Sequence, residues 1–264
     1  MPIPRVEALD WDDCMAWFRP RWDPGDHVAI VAPTGQGKTN VVVHIGNGRK
    51  FVAAIDPKGG DPTLADSGWA RLPDWPPPPA AYRRMAEGVP HRYRIGPRIR
   101  TAADLPRLQA VCAKALEGVF NDGGWTVIVD ELQIVADPRM MNLRGDVERL
   151  LIAARSQRTS VVSLYQAPRY VPRAAADQAR WVWVALTYDV DVVNRLAEVL
   201  GRDKAEIRGA INALGSRPYT WLVASRDPRD PLVVTIPHLV RRPPRAPSNE
   251  GPNTRLALPR RWWS

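Results

Sequence analysis

The residues with the clearest chemistry are Ala32-Pro33-Thr34-Gly35-Gln36-Gly37-Lys38-Thr39, followed by Asn40. The spacing A-x-x-x-x-G-K-T is that of a phosphate-binding loop, or P-loop, with Ala32 at the usual first glycine. Small residues let the backbone wrap a phosphate chain with its N–H groups pointing inward. The helix that follows adds the positive end of its dipole. Lys38 can then reach the β- and γ-phosphates, and the Thr39 hydroxyl can hold Mg²⁺. The candidate nucleotide-binding residues are therefore Pro33, Thr34, Gly35, Gln36, Gly37, Lys38, Thr39 and Asn40.

A second chemical signal lies in Trp125-Thr126-Val127-Ile128-Val129-Asp130-Glu131. A continuous apolar run reads as a strand buried on both faces. Two carboxylates at its end match the Walker B pattern that accompanies a P-loop. Asp130 is the candidate Mg²⁺ ligand, with Thr39. Glu131 is the candidate to polarise an attacking water. A third signal is Gln166, which ends the strand expected over 159–165. A polar residue at that strand tip can feel the γ-phosphate and report its loss.

These groups need a scaffold. An apolar run predicts a strand over 27–32, a helix follows over 38–47, and Phe51-Val52-Ala53-Ala54-Ile55 is a second buried strand. Strand, helix and strand at this spacing predict a parallel sheet with a right-handed crossover. Ligands on such sheets bind beyond the carboxyl ends of the strands. Asp56 and Lys58, in the turn Asp56-Pro57-Lys58-Gly59-Gly60-Asp61, thus end up near the nucleotide edge or a subunit contact, unless this is a plain solvated turn. The fold class expected is α/β, with a mostly parallel central sheet flanked by helices around the P-loop.

The remaining stretches are read more coarsely. A helix is expected over 6–18, with Trp11, Trp17 and Trp22 packing against the domain rather than stacking on a base. Residues 62–90 read as irregular, because Pro73 and Pro76-Pro77-Pro78-Pro79 demand extended backbone. A short strand is expected over 92–95. In 103–120, Leu105, Leu108, Cys112, Leu116 and Val119 share one helical face. Residues 138–158 read as an arginine-bearing helix with Leu150, Leu151 and Ile152 on its core side. A strand over 181–186, helices over 191–200 and 203–214, and a hairpin of 219–224 with 232–236 complete the domain.

The organisation expected is a lead segment, 1–26, an ATPase domain, 27–236, and a flexible, basic, proline-rich tail, 237–264. The tail carries six arginines (241, 242, 245, 255, 260 and 261) against Glu250, and ends Trp262-Trp263 before Ser264. It suits phosphate contacts and base stacking, or a protein partner. The chain as a whole has 37 Lys+Arg against 28 Asp+Glu, a net charge of +9, which favours an anionic polymer as partner. Two cysteines, Cys14 and Cys112, suit a reducing compartment. The four histidines lack metal-ligand spacing, and no signal peptide or apolar membrane span is read. The expected location is the cytoplasm.

The order of P-loop, Asp56-Pro57-Lys58-Gly59-Gly60, Asp130-Glu131, arginine and Gln166 resembles the HerA/FtsK group of P-loop ATPases. FtsK-type DNA translocases carry a similar Asp-Pro-Lys-Gly stretch after the second strand and Asp-Glu after the Walker B strand. An arginine precedes their next strand, which ends in Thr-Gln-Arg-Pro. Arg155 precedes Gln166 at the family spacing, while Tyr165-Gln166-Ala167-Pro168 has Tyr for Thr and Ala for Arg. The resemblance covers about residues 27–225. It implies a RecA-like P-loop NTPase core, ATP as the nucleotide and a homo-oligomeric ring, often a hexamer. It also implies an arginine reaching a neighbour's nucleotide, assigned to Arg155 with Arg158 as alternative. The small size is closest to conjugative or phage members of the group. The function it implies is a Mg²⁺-dependent ATPase that moves or packages double-stranded DNA. The rivals are an ATPase for protein secretion or virion assembly, and a nucleotide-dependent DNA-binding scaffold without motor activity.

Overall fold

Apolar residues on both sides of the central strands set the architecture, because such strands must be covered on both faces. The computed structural model describes residues 6–215 and 217–238. Its strands are β1 (Val6–Ala8), β2 (His27–Val31), β3 (Phe51–Ile55), β4 (Ala70–Leu72), β5 (His91–Ile95), β6 (Thr126–Val129), β7 (Ser160–Tyr165), β8 (Ala179–Ala185), β9 (Trp221–Ser225) and β10 (Leu232–Thr235). The helices are α1 (Trp11–Phe18), α2 (Lys38–Asn47), α3 (Pro62–Ala65), α4 (Pro79–Ala86), α5 (Leu105–Asp122), α6 (Leu132–Ala136), α7 (Arg144–Ala153), α8 (Ala174–Asp177), α9 (Val190–Leu200) and α10 (Lys204–Asn212).

All ten strands form one sheet in the order β1-β10-β9-β8-β2-β7-β6-β3-β5-β4. The pairings from β4 across to β8 are parallel, and β9 runs antiparallel to both β8 and β10. Successive residues of each central strand point to opposite faces. Val28 and Ile30 join the core beneath α1, α2 and α3, whereas Ala29 and Val31 join the core beneath α5, α7, α9 and α10. The result is the expected α/β arrangement, a mostly parallel sheet between two helical layers.

The expected helix over 6–18 is shorter. Residues 6–8 instead form β1, paired in parallel with β10, and Asp10 caps α1 by accepting from the Asp13 N–H at 2.8 Å. Trp11 and Trp22 are buried and Trp17 packs against the same core, so the tryptophans are structural. Phe18 meets Trp181 and Trp183 edge-on at ring separations of 5.1 and 5.2 Å, which seats α1 on β8. Gly46 on α2 faces Trp69 so closely that a β-carbon would lie 2.7 Å from its ring. Glycine is what lets the P-loop helix press onto the sheet there.

Residues 62–90 are not irregular. They hold α3, β4 and α4, because proline is compatible with the first turn of a helix. Pro62 and Pro79 both sit there, and Asp61 Oδ1 caps α3 by accepting from the Thr63 and Leu64 N–H groups. The arginine-bearing helix is only α7, Arg144–Ala153. Leu150 and Leu151 are buried, but Ile152 is 66% exposed. Three consecutive residues cannot share a helical face, since each step turns by a large fraction of a circle. The β9–β10 hairpin, β8, α9 and α10 lie where the apolar patterns put them. Apart from Pro237 and His238, the basic tail lies outside the described residues.

Candidate active site

The loop leaving β2 turns back into α2 through two glycines with positive φ, Gly35 at +85° and Gly37 at +78°. Gly37 is the N-cap of α2 and no side chain caps the helix. Its leading N–H groups are thus left for a ligand, the arrangement that binds phosphate. The Lys38 ammonium donates to Ala32 O at 2.8 Å and Pro33 O at 3.2 Å, tying the two ends of the loop together. Burial pushes its pKa down, and Glu131 and Asp130 act against that. Thr39 and Asn40 follow on the first turn of α2, partly exposed. The Asn40 side-chain amide donates to His238 O at 3.0 Å.

Parallel pairing brings the other groups to the same edge. Val31 pairs with Tyr165, and the Ala32 N–H donates to Tyr165 O at 3.2 Å, so Gln166 stands beside the start of the loop. Gln166 is exposed. Val129 pairs with Ile55 and Ser163, which places Asp130 at the tip of the strand beyond β7. Asp130 is 3% exposed and its carboxylate accepts from the Glu131 N–H at 3.1 Å. Burial first, then Asp61, Asp56 and Glu131, push its pKa up to about 8. This crowding of acidic oxygens fits a divalent cation. A hydroxyl and a carboxylate, completed by phosphate oxygens and water, are the donors Mg²⁺ prefers. Thr39 and Asp130 would supply them. Among the described residues no cluster of three His, Cys, Asp or Glu could hold a metal ion.

Glu131 is the N-cap of α6 and adopts φ +49°, a left-handed conformation unusual for a residue with a side chain. It is 7% exposed. Its Oε1 accepts from Lys58 Nζ at 3.0 Å and its Oε2 accepts from the Gln133 amide. Lys58 is delivered by the turn after β3. Asp56 shapes that turn, accepting from the Lys58 and Asp61 N–H groups at 3.0 and 2.9 Å. Burial works against the charge on Lys58, but the bond to Glu131 and the nearby Asp130 and Asp61 outweigh it and raise its pKa. Sequence reasoning brought Lys58 to the edge without its partner, and it missed Gln133 and Asp61. Their closeness in sequence to Glu131 and Lys58 was the only available signal.

Arg155 is elsewhere. It lies between α7 and β7, at the amino edge of the sheet, with its side chain 75% exposed and 3.8 Å from Asp26, just before β2. Arg158, at φ +56°, is in the same turn. The structure therefore brings together Lys38, Thr39, Asp130, Glu131 and Gln166 and sets Arg155 on the opposite edge.

No protein-family model matches this sequence, and no curated protein matches it. Solved structures do. The chain is similar to the genome-packaging NTPase B204 from Sulfolobus turreted icosahedral virus 2 in complex with AMPPCP. Identity is 12%, 82% of this chain and 100% of that chain are covered, and the TM-score is 0.53. The DNA-packaging ATPase B204 from Sulfolobus turreted icosahedral virus matches at the same values. VirB4 of Thermoanaerobacter pseudethanolicus matches at 11% identity over 81% of this chain and 90% of that chain, with a TM-score of 0.53. The chain thus shares the α/β fold of the packaging NTPase B204 and of VirB4, a mostly parallel sheet flanked by helices.

Proposed function

We propose that this chain is a Mg²⁺-dependent ATPase that couples hydrolysis to moving or packaging double-stranded DNA. The meeting of Lys38, Asp130 and Glu131 at one sheet edge supports the hydrolytic part. Lys38 and the loop N–H groups from Pro33 to Asn40 bind the phosphates, and Lys38 offsets charge that builds on the γ-phosphoryl group. Thr39 and Asp130 would hold Mg²⁺, which would supply positive charge to offset the negative charge of the phosphates. Glu131 accepts a proton from the attacking water. Gln166, beside the loop, senses the γ-phosphate.

Arg155 is too far round the sheet to serve its own chain's nucleotide. Its exposure on the opposite edge suits a ring in which it completes a neighbour's site, as an arginine in trans does for phosphoryl transfer. DNA as the cargo is favoured by the net charge of +9. It is also favoured by exposed Arg169, Tyr170 and Arg173 on the loop after β7 and by the arginines of residues 237–264. Such contacts grip the backbone without reading sequence. Among the described residues no helix is long and apolar enough to cross a membrane, and Cys14 and Cys112 are free and buried. We propose that the ATPase domain extends beyond the expected 27–236 to take in β1 and α1, which share its sheet and core, and that it works in the cytoplasm.

The test is ATP hydrolysis with and without linear double-stranded DNA, at low and moderate salt, with Glu131→Gln as the blank. Stimulation by DNA that fades with salt supports the proposal. Hydrolysis indifferent to DNA overturns the DNA part and leaves an ATPase of protein secretion or virion assembly.

A further inference from the structure

The P-loop and the acid pair account for the phosphate end of a nucleotide and say nothing of the base. The sheet supplies a direction. Asp130 and Glu131 stand at the tip of β6, on one side of β2, whereas β8, β9 and β10 lie on the other. Because β9 is antiparallel to β8, the chain enters it at the edge where β2 ends. It enters through Arg217-Pro218-Tyr219-Thr220, which brings Tyr219 to the P-loop from the side away from the acid pair.

Tyr219 covers the last glycine of the loop. A β-carbon at Gly37 would lie 3.1 Å from Tyr219 Cδ1 and 3.6 Å from Cε1. The tyrosine is nonetheless 38% exposed, and its φ is +62°. A bulky residue pays for that conformation, and such strain gathers at ligand sites. The chain leaving β10 reaches the same helix start. His238 O accepts from the Asn40 amide and lies 2.8 Å from His44 Nε2. Tyr219 and the chain at His238 therefore flank the start of α2, and the tyrosine ring is left partly open to solvent.

We propose that Tyr219 is the stacking platform for the base of the bound nucleotide. The proposal rests on the P-loop reading above and extends it from phosphates to nucleoside. With the γ-phosphate beside Lys38 and the acid pair, the nucleoside leaves the loop on the Tyr219 side. Stacking on a ring face tolerates any base, because every base offers a π-face. The site then takes nucleoside triphosphates with little preference among bases, and none between adenine and guanine.

The experiment measures binding of ATP, GTP and inorganic tripolyphosphate, each with Mg²⁺, to the full chain and to its Tyr219→Ala and Tyr219→Phe variants. Tyr219→Ala should weaken ATP and GTP about tenfold, the usual scale for losing one stacked base. Tripolyphosphate binding should not change, and Tyr219→Phe should keep the wild-type affinities. Equal loss of all three ligands in Tyr219→Ala would make Tyr219 a prop for Gly37 and overturn the proposal. So would unchanged ATP affinity. A wild-type chain that binds neither ATP nor tripolyphosphate overturns the P-loop reading as well, a result that cannot be mistaken for the other two.

Discussion

Lys58 Nζ lies 3.0 Å from Glu131 Oε1, and the Gln133 amide holds the other oxygen of the same carboxylate. A carboxylate with both oxygens engaged is a poor proton acceptor, since hydrogen bonds and a nearby cation stabilise its charged form. Lys58→Met frees Oε1. We expect a rise of about threefold or more in hydrolysis without DNA, within the range that a positioned base controls, and unchanged ATP affinity. Steady-state rates beside equilibrium ATP binding check this. A fall in rate would make Lys58 a cation that orients Glu131 for attack.

Lys38 and Glu131 have separable roles. Lys38→Ala should lose ATP binding, because the ammonium both ties the loop ends and meets the phosphates. Glu131→Gln should keep ATP binding and lose hydrolysis by roughly 10²- to 10⁴-fold, the usual contribution of a general base. Retained tight ATP binding by Lys38→Ala would refute the loop assignment. Wild-type turnover by Glu131→Gln would remove Glu131 from the reaction.

The opposite placement of Arg155 and the P-loop allows a complementation test. Arg155→Ala and Glu131→Gln should each be nearly inactive alone. Mixed, they should recover part of the activity, because some interfaces join an intact Arg155 to an intact Glu131. No recovery in subunits shown to exchange would exclude Arg155 as the arginine in trans and direct attention to Arg158.

His27 gives a pH dependence unconnected with catalysis. Its Nδ1 accepts from the Val161 N–H at 3.0 Å, so Nε2 carries the proton and faces Leu151 O at 3.1 Å. Burial pushes its pKa down to about 4. The unfolded chain binds this proton near pH 6.5 and the folded chain does not, so stability rises with pH between those values. The contribution is complete above about pH 6.5 and is lost towards pH 4, in all roughly 3 kcal/mol. Urea midpoints of wild type and His27→Gln across pH 4 to 7 should converge as the pH falls.

Deleting residues 241–264 removes six arginines and one glutamate. DNA affinity should drop and its logarithmic dependence on salt should flatten, since fewer counterions are released. Affinity measured at several salt concentrations checks both. An unchanged slope would move the DNA contact to the loop carrying Arg169 and Arg173.

Much of the candidate site was legible in the residues alone. The P-loop, α2, β3, the Asp130-Glu131 strand and Gln166 are each specified by neighbours a few positions away, through apolar runs, glycine turns and local hydrogen bonds. Parallel topology also followed, because a strand, a helix and a strand at that spacing have one favoured crossover. Three-residue β1 and β4 escaped notice, being too short to show a period, and α3 and α4 were hidden behind their prolines. The sheet order, the grip of Lys58 on Glu131, the ring of Tyr219 over Gly37 and the removal of Arg155 to the far edge belong to tertiary structure. Each depends on where the chain returns after a crossover of tens of residues. That return is set by which faces must be buried together, and no local pattern encodes it.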